Sequence, residues 1–236
     1  SPLNSIEPAT TIPSLPFLFQ SKEHMRRALD GAPGRAILDT LAPHGLIGLC
    51  YYDSGERSFY NTKHPILTPV DMKGMKIRTP NSDMSVAMIN ATGASATPMD
   101  LGEVYQSLVQ GVIDGAENNW PSYESGRHFE AAKYFSLTRH VMTPEVLLMS
   151  KARWDKLTPA DRDIVMACAA ESVPYMRKLW DERVEGSRNR LLAAGVLENE
   201  VTDREAFVKL MQPVYAQFVT TPFEKRVVAE IEATAS

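Results

Sequence analysis

The chain has 236 residues, enough to bury a large core in one domain or in two lobes, and two lobes is the organisation expected here. Its formal net charge is −4, with 25 basic and 29 acidic residues intermixed and no long basic run, which excludes the electrostatic footprint of a nucleic-acid binder. No apolar run approaches the roughly 18 residues of a membrane span, and the opening SPLNSIEPAT lacks the charged and apolar regions of an export signal, so a soluble chain is expected.

From the N-terminus, the Pro-rich TTIPSLPFLF leads into SKEHMRRALDG, where Met25, Ala28 and Leu29 have helical spacing and Gly31 is a stop signal. A second short helix is predicted from Arg35 to Leu41. GLIGLCYYD (45–53) is an apolar run long enough for a buried strand, and Ser54 and Gly55 are read as the turn after it. SFYN (58–61) and MKIR (75–78) are predicted strands, separated by a loop with Pro65 and Pro69.

Residues 75 to 118 alternate strand and helix: MKIR, a helix from Ser82 to Ala91, the strand GASATPM, a helix from Asp100 to Gln110, and the strand GVIDGAEN. Asp100 and Glu103 form a capping pattern for the second helix, whose apolar stripe is Leu101, Val104, Tyr105 and Leu108 and whose stop is Gly111. Such alternation implies parallel strands joined by right-handed crossovers, hence an α/β fold. A third helix is predicted from Tyr123 to Ala132, then the extended TPEVLLMS. A long helix follows from Pro159 to about Ala194, roughly 50 Å at 1.5 Å per residue, with a kink or break expected ahead of Pro174. The tail from Asp203 to Thr234 is expected to form two helices divided near Thr221 and Pro222.

The chemistry-bearing residues cluster at strand ends. Pro80 stops the MKIR strand and Asn81 or Ser82 can cap the next helix, so Arg78 lies at a carboxyl strand edge, where open α/β sheets bind ligands. Asn118 ends the GVIDGAEN strand, and the alternation puts it on the same edge of a neighbouring strand. A guanidinium offers a planar fork to a carboxylate, and an amide can orient an oxygen, so the pair suits recognition of an anion. The plainer alternative is that Arg78 pairs with Asp83 or Asp114 and that Asn118 caps a turn. Trp120 is either a flat wall for a sugar ring or a core residue. Arg57 is either a second cation for the ligand or an exposed arginine, and Glu145 either accepts sugar hydroxyls or pairs with a lysine. Cys50 and Cys168 sit among apolar neighbours and are expected to be buried, inert thiols. The five histidines show no metal-ligand spacing, and GxGxxG, GxxxxGK[ST] and GxSxG are absent, so no metal site or cofactor is expected.

The segments SLPFLF (14–19), DMKGMKIRTPNSD (71–83), GASATPMDLGEVYQSLVQGVIDGAEN (93–118), EAAKYFSLTRH (130–140) and WDKLTPADRDIV (154–165) together resemble the solute-binding proteins of tripartite ATP-independent periplasmic (TRAP) transporters, DctP type. The resemblance extends over nearly the whole chain. It implies a periplasmic protein with a two-lobe fold, a long lobe-spanning helix, and closure on an organic acid. Mapped on this chain, lobe one takes 1–55 and 144–183, and lobe two takes 56–143 and 184–236. The resemblance further implies that Arg78 grips a ligand carboxylate, that Asn118 orients it, and that Arg57, Leu101, Trp120 and Glu145 fall at pocket positions. Family members also carry a strand, helix and strand plus a further helix ahead of SPLN, a portion this chain does not include.

The function expected on these grounds is capture of a carboxylate-bearing solute for a TRAP permease, by a monomer that makes no use of nucleic acid. A sugar acid such as D-glucuronate or D-galacturonate is favoured because ENNWPSYES (117–125) resembles members that take sugar acids. Alternatives are another organic acid such as a C4-dicarboxylate, an enzyme using Glu117, Glu145 or His140 as acid or base, and a sensor domain signalling through a receptor.

Overall fold

The computed structural model describes residues 2–235. In chain order the elements are α1 (Lys22–Asp30), α2 (Ala32–Asp39), β1 (Leu46–Asn61), β2 (Lys76–Thr79), α3 (Asp83–Ala91), β3 (Ser95–Pro98), α4 (Val104–Val109), β4 (Gly115–Asn118), α5 (Trp120–Ser125), β5 (Tyr134–Ser150), α6 (Lys151–Trp154), α7 (Pro159–Ala193), β6 (Leu197–Glu200), α8 (Arg204–Leu210), α9 (Gln212–Phe218) and α10 (Pro222–Ala233). Short 3-10 turns connect several of them. The chain divides into two compact units. The first is Ser1–Gly55, Met142–Glu182 and Val219–Ser236; the second is Glu56–Val141 and Arg183–Phe218.

Several local features differ from the sequence reading. β1 is one strand that runs through Ser54 and Gly55, where a turn is expected; Gly55 takes a φ of 83° inside it without reversing the chain. The helix expected over 123–132 is split into α5 and a 3-10 turn, His128–Glu130, because Arg127 adopts a left-handed φ of 57° between them. Pro174 lies within the single helix α7, so of the expected kink or break the break does not occur. The tail forms three helices, and the last of them, α10, belongs to the first unit, although 184–236 is expected in lobe two. The reason is its contact with α1. His24 Nε2 lies 2.8 Å from the Ile231 carbonyl, Arg27 donates to the Thr234 carbonyl, and Val227 and Ile231 are fully buried. Cys168 is exposed and Cys50 half-buried, both free, which corrects the expectation of buried thiols.

In the first unit a charge network ties α1, β1 and α7 together. Asp53, 2% exposed, accepts from Arg26 at 2.8 Å and from Arg177 at 3.1 Å, while Arg177 also forks onto Asp30 at 2.7 and 2.8 Å. A buried carboxylate is tolerable there because two guanidinium groups replace its water.

The second unit carries the sheet β3-β2-β4-β1-β5-β6. As the strand–helix alternation predicts, β2 runs parallel to β3 and to β4, while β4 is antiparallel to β1. Register is set chemically as well as by packing. The Asp114 carboxylate accepts the Lys76 amide at 2.8 Å, the Asp114 amide donates to the Lys76 carbonyl at 2.8 Å, and Lys63 pairs with the same carboxylate at 2.9 Å. β4 is thereby pinned to β2, with Arg78 opposite Ala116. Tyr60, Ala116 and Arg78 form one row across three strands, and by the period-two alternation Phe59 and Glu117 occupy the next row on the opposite face. Beneath the first row lies a core of Val104, Leu108, Trp120, Tyr123, Phe135 and Leu191.

Gly115 is the closest point of this arrangement. A Cβ there would lie 2.4 Å from the Tyr60 carbonyl oxygen and 2.8 Å from the Asn61 Cβ, so β4 can approach β1 only through a glycine. Gly115→Ala is expected to destabilise the protein by about 1–3 kcal/mol in urea unfolding, the cost of forcing strands apart in a packed sheet. An unchanged midpoint would show that the two strands are not held at this spacing.

Candidate functional site

Arg78 is placed by a chain that stops being a strand at Pro80 and starts α3 under the Ser82 cap, whose hydroxyl accepts the Ser85 amide at 3.4 Å. Its side chain is buried, 4% exposed. Nε and Nη2 both donate to the Met99 carbonyl, at 3.0 and 2.7 Å. Met99 is held in turn: its amide donates to the Thr79 carbonyl at 3.2 Å, and the next residue, Asp100, donates its amide to Glu103 at 3.1 Å and accepts from Asn81 at 3.2 Å. The capping box expected of Asp100 and Glu103 is therefore present, and it also steadies the carbonyl that aims the guanidinium.

Neither Asp83 nor Asp114 pairs with Arg78, and among the described residues its hydrogen bonds go only to that neutral carbonyl. Burial lowers its pKa from the ordinary arginine value, against the pull of the Glu117 charge and with the nearby Arg57 charge acting in the same direction as burial. Three of its five N–H groups, on Nη1 and Nη2, remain without a partner among the described residues, and Nη1 is not among the atoms sealed from solvent.

Arg57 is arranged quite differently. Its Nε and Nη2 grip the Glu117 carboxylate, Nη2 also donates to the Glu117 carbonyl at 3.0 Å, and Nη1 donates to Asn118 Oδ1 at 3.1 Å. Desolvation works against charge on both partners, but their attraction prevails: Arg57 is raised, and Glu117 is held down to about 2 by the Arg57 charge. On the other side of Glu117, His140 Nε2 lies 3.4 Å from Oε2 without hydrogen-bond geometry, its ring stacked on Phe59 at 4.1 Å and its Nδ1 paired with Thr138 Oγ1 at 2.8 Å. His140 is lowered by burial, against the pull of Glu117.

Asn118, 4% exposed, accepts at Oδ1 from Arg57 and from the Asn119 amide at 2.9 Å, and its Nδ2 has no partner among the described residues. The structure thus brings Arg78, Asn118 and Arg57 together on β2, β4 and β1. Leu101 is close in sequence, 48% exposed on the turn after Met99. Trp120 is not a free wall. It is 6% exposed and stacked on Phe135 with ring centroids 3.8 Å apart, in the core beneath the row. Glu145 is exposed on the part of β5 that belongs to the first unit, with no lysine partner among its described contacts. Residues the sequence did not single out are Met99, Tyr60 and His128. Met99 acts through its backbone, which leaves no side-chain signal. Tyr60 and His128 are joined at 2.7 Å by side chains 68 residues apart.

A cavity of about 530 Å³ in the first unit, lined by Leu29, Leu49, Val173, Arg35 and Arg177 among others, is a weaker candidate. Its arginines are already committed, Arg35 to Asp39 and the Gly48 carbonyl and Arg177 to Asp30 and Asp53, which leaves an anion less to gain there.

Comparison with known proteins gives the family of the chain. The sequence profile of the bacterial extracellular solute-binding proteins, family 7 (DctP), matches residues 1–221. A solute-binding protein of Chromohalobacter salexigens is 50% identical over 218 residues, 92% of this chain and 65% of that protein, so the chain spans just under two thirds of its relative's length. Among solved structures, a TRAP periplasmic solute-binding protein of Bradyrhizobium sp. BTAi1 in complex with α/β-D-galacturonate is 50% identical with a TM-score of 0.91, covering 99% of this chain and 78% of that one. One from Chromohalobacter salexigens with bound D-glucuronate is 47% identical with a TM-score of 0.93, at the same coverage.

His128 offers a pH test of the site's floor. It is 1% exposed, and burial first, then the Arg78 charge, pull its pKa from 6.5 down to about 4. Between those values the unfolded chain takes up a proton that the folded protein refuses, so stability falls as pH drops from 6.5 to 4, by on the order of 3 kcal/mol in all. His128→Gln is expected to flatten this limb in urea titrations at successive pH values. A slope equal to that of the unaltered protein would remove His128 as its source.

Proposed function

The chain belongs to the bacterial extracellular solute-binding proteins of family 7, and from that premise we propose that it captures a hexuronate, such as D-glucuronate or D-galacturonate, in the periplasm and delivers it to a TRAP permease. The observation that carries this reading is the buried Arg78 guanidinium, whose hydrogen bonds among the described residues go only to a neutral carbonyl. A buried cation without an acid is costly, by several kcal/mol, and a ligand carboxylate recovers that cost with a charge-assisted pair. With Nε turned to Met99, the Nη1–Nη2 edge receives the carboxylate end-on.

The sugar-acid class is supported by the galacturonate and glucuronate bound to the two similar solved structures. The arrangement favours recognition over turnover: Glu117, the best-placed acid, is locked as an anion by Arg57, and it has no proton to exchange near neutral pH.

A thermal-shift screen of organic acids tests the substrate class. D-Glucuronate or D-galacturonate is expected to raise the melting temperature, with glucose giving a smaller rise. If unrelated ligands raise it and neither uronate does, the reading fails. Arg78→Ala is expected to keep the fold and cost about 2–5 kcal/mol of uronate affinity by calorimetry, and Arg78→Lys to recover little because an ammonium lacks the fork. Near-native affinity in Arg78→Ala would remove that residue from the site.

A further inference from the structure

We propose that Gly55 is the pivot of β1 when the protein closes on a solute, and that Arg139 is a positioning residue that confines bending to that glycine; this deepens, and rests on, the solute-capture reading. Both strands that pass from one unit into the other carry a left-handed residue close to the crossing. Gly55, at a φ of 83°, is the last residue of the first unit on β1, and Arg139, at a φ of 43°, lies two positions before Val141, where β5 leaves the second unit. A glycine takes up that φ freely. An arginine does so at a cost, and only where its surroundings over-determine it.

The surroundings of Arg139 meet that condition. Its amide donates to Ser58 Oγ at 3.1 Å and the Phe59 amide donates to Thr138 Oγ1 at 3.3 Å, so hydroxyls take both amides where β1 meets β5. Its guanidinium forks onto Glu200, the last residue of β6, at 2.8 and 2.7 Å, and its Nε lies 3.4 Å from Glu56. One side chain thereby joins β5, β6 and the residue that follows Gly55. Every group in this clamp belongs to the second unit.

The first unit has a clamp of its own on the same strand. Asp53, two residues before Gly55, is held by Arg26 on α1 at 2.8 Å and by Arg177 on α7 at 3.1 Å. Gly55 is therefore bracketed by two anchored acids, Asp53 and Glu56, each tied to its own unit. A hinge needs a residue that can absorb a change of φ and ψ, and here the one with the widest choice stands between two that are held. With Arg139 fixed, the unliganded protein samples fewer arrangements, which lowers the ordering cost of closing on a solute.

Distances between spin labels test this, after urea melts establish that each variant is folded. Cys168 is exposed in the first unit and Val109 is 55% exposed in the second, so Cys50→Ala with Val109→Cys leaves one label site in each. Arg139→Gly keeps the left-handed backbone and removes the clamp. Its unliganded distance distribution is expected to be broader than that of the labelled protein without it, whereas D-glucuronate or D-galacturonate narrows both to the same distance. Calorimetry is expected to show about a three- to tenfold loss of uronate affinity, the cost of ordering a looser free state. Glu200→Gln cuts the charged fork with Arg139 left in place, and is expected to broaden the distribution less; where Arg139→Gly does not fold, it decides alone. A merely local role in stability moves urea midpoints and not these widths. Unliganded widths equal to the original overturn the clamp. Labels that do not move with uronate, although uronate raises the melting temperature, overturn the pivot while the capture reading stands. A protein that binds neither uronate overturns that reading, and the unliganded widths still decide the clamp.

Discussion

A buried guanidinium without a counter-charge organises the second unit. Arg78 is 4% exposed and satisfied on one edge only, by a backbone carbonyl. Proteins seldom leave a buried cation in that state, because desolvation is not repaid by a neutral acceptor. The contrast with Arg57 is instructive: on β1, two strands over in the sheet, the same chemical group is paired with Glu117, and the two together contribute almost no net charge. One arginine is structural currency for another's freedom. Glu117 attracts both, yet geometry gives its carboxylate to Arg57 and leaves Arg78 available.

That division depends on sheet register. Arg78 stands opposite Ala116, and Phe59 opposite Glu117, so alternation sends Arg78 to one face and Glu117 to the other. A one-residue slip of β4 would bring the acid round to Arg78 and neutralise it. The bonds of Asp114 to the Lys76 backbone and the close approach at Gly115 are what resist such a slip. Residues with no ligand role thus determine which arginine stays free.

The surrounding groups are rigid for ordinary reasons. Tyr60 and His128 share a buried hydrogen bond above an aromatic core in which Trp120 stacks on Phe135, and such cores have few alternative packings. The Asp100–Glu103 box is exposed and individually weak, but it sits where it controls a carbonyl and not merely a helix end. Preorganisation of this kind lowers the ordering cost when a small ligand binds.

Local chemistry along the chain was enough to determine the α/β alternation, the parallel pairing of β2 with β3 and β4, the strand end at Arg78 and the cap at Asp100, because turn residues, apolar period and capping act over a few positions. It also made Arg78 and Asn118 candidates, since both end strands on one edge. It did not reveal that β1 passes through Gly55 unbroken, that α10 folds back onto α1, or that Trp120 spends its faces in the core; each depends on partners far along the chain. Above all, local chemistry could not say which arginine would keep its charge unspent. Sequence placed Arg78 at a strand end and left Arg57 open between ligand cation and exposed residue, but only the tertiary register, by deciding which face Glu117 occupies, separates a neutralised arginine from a free one.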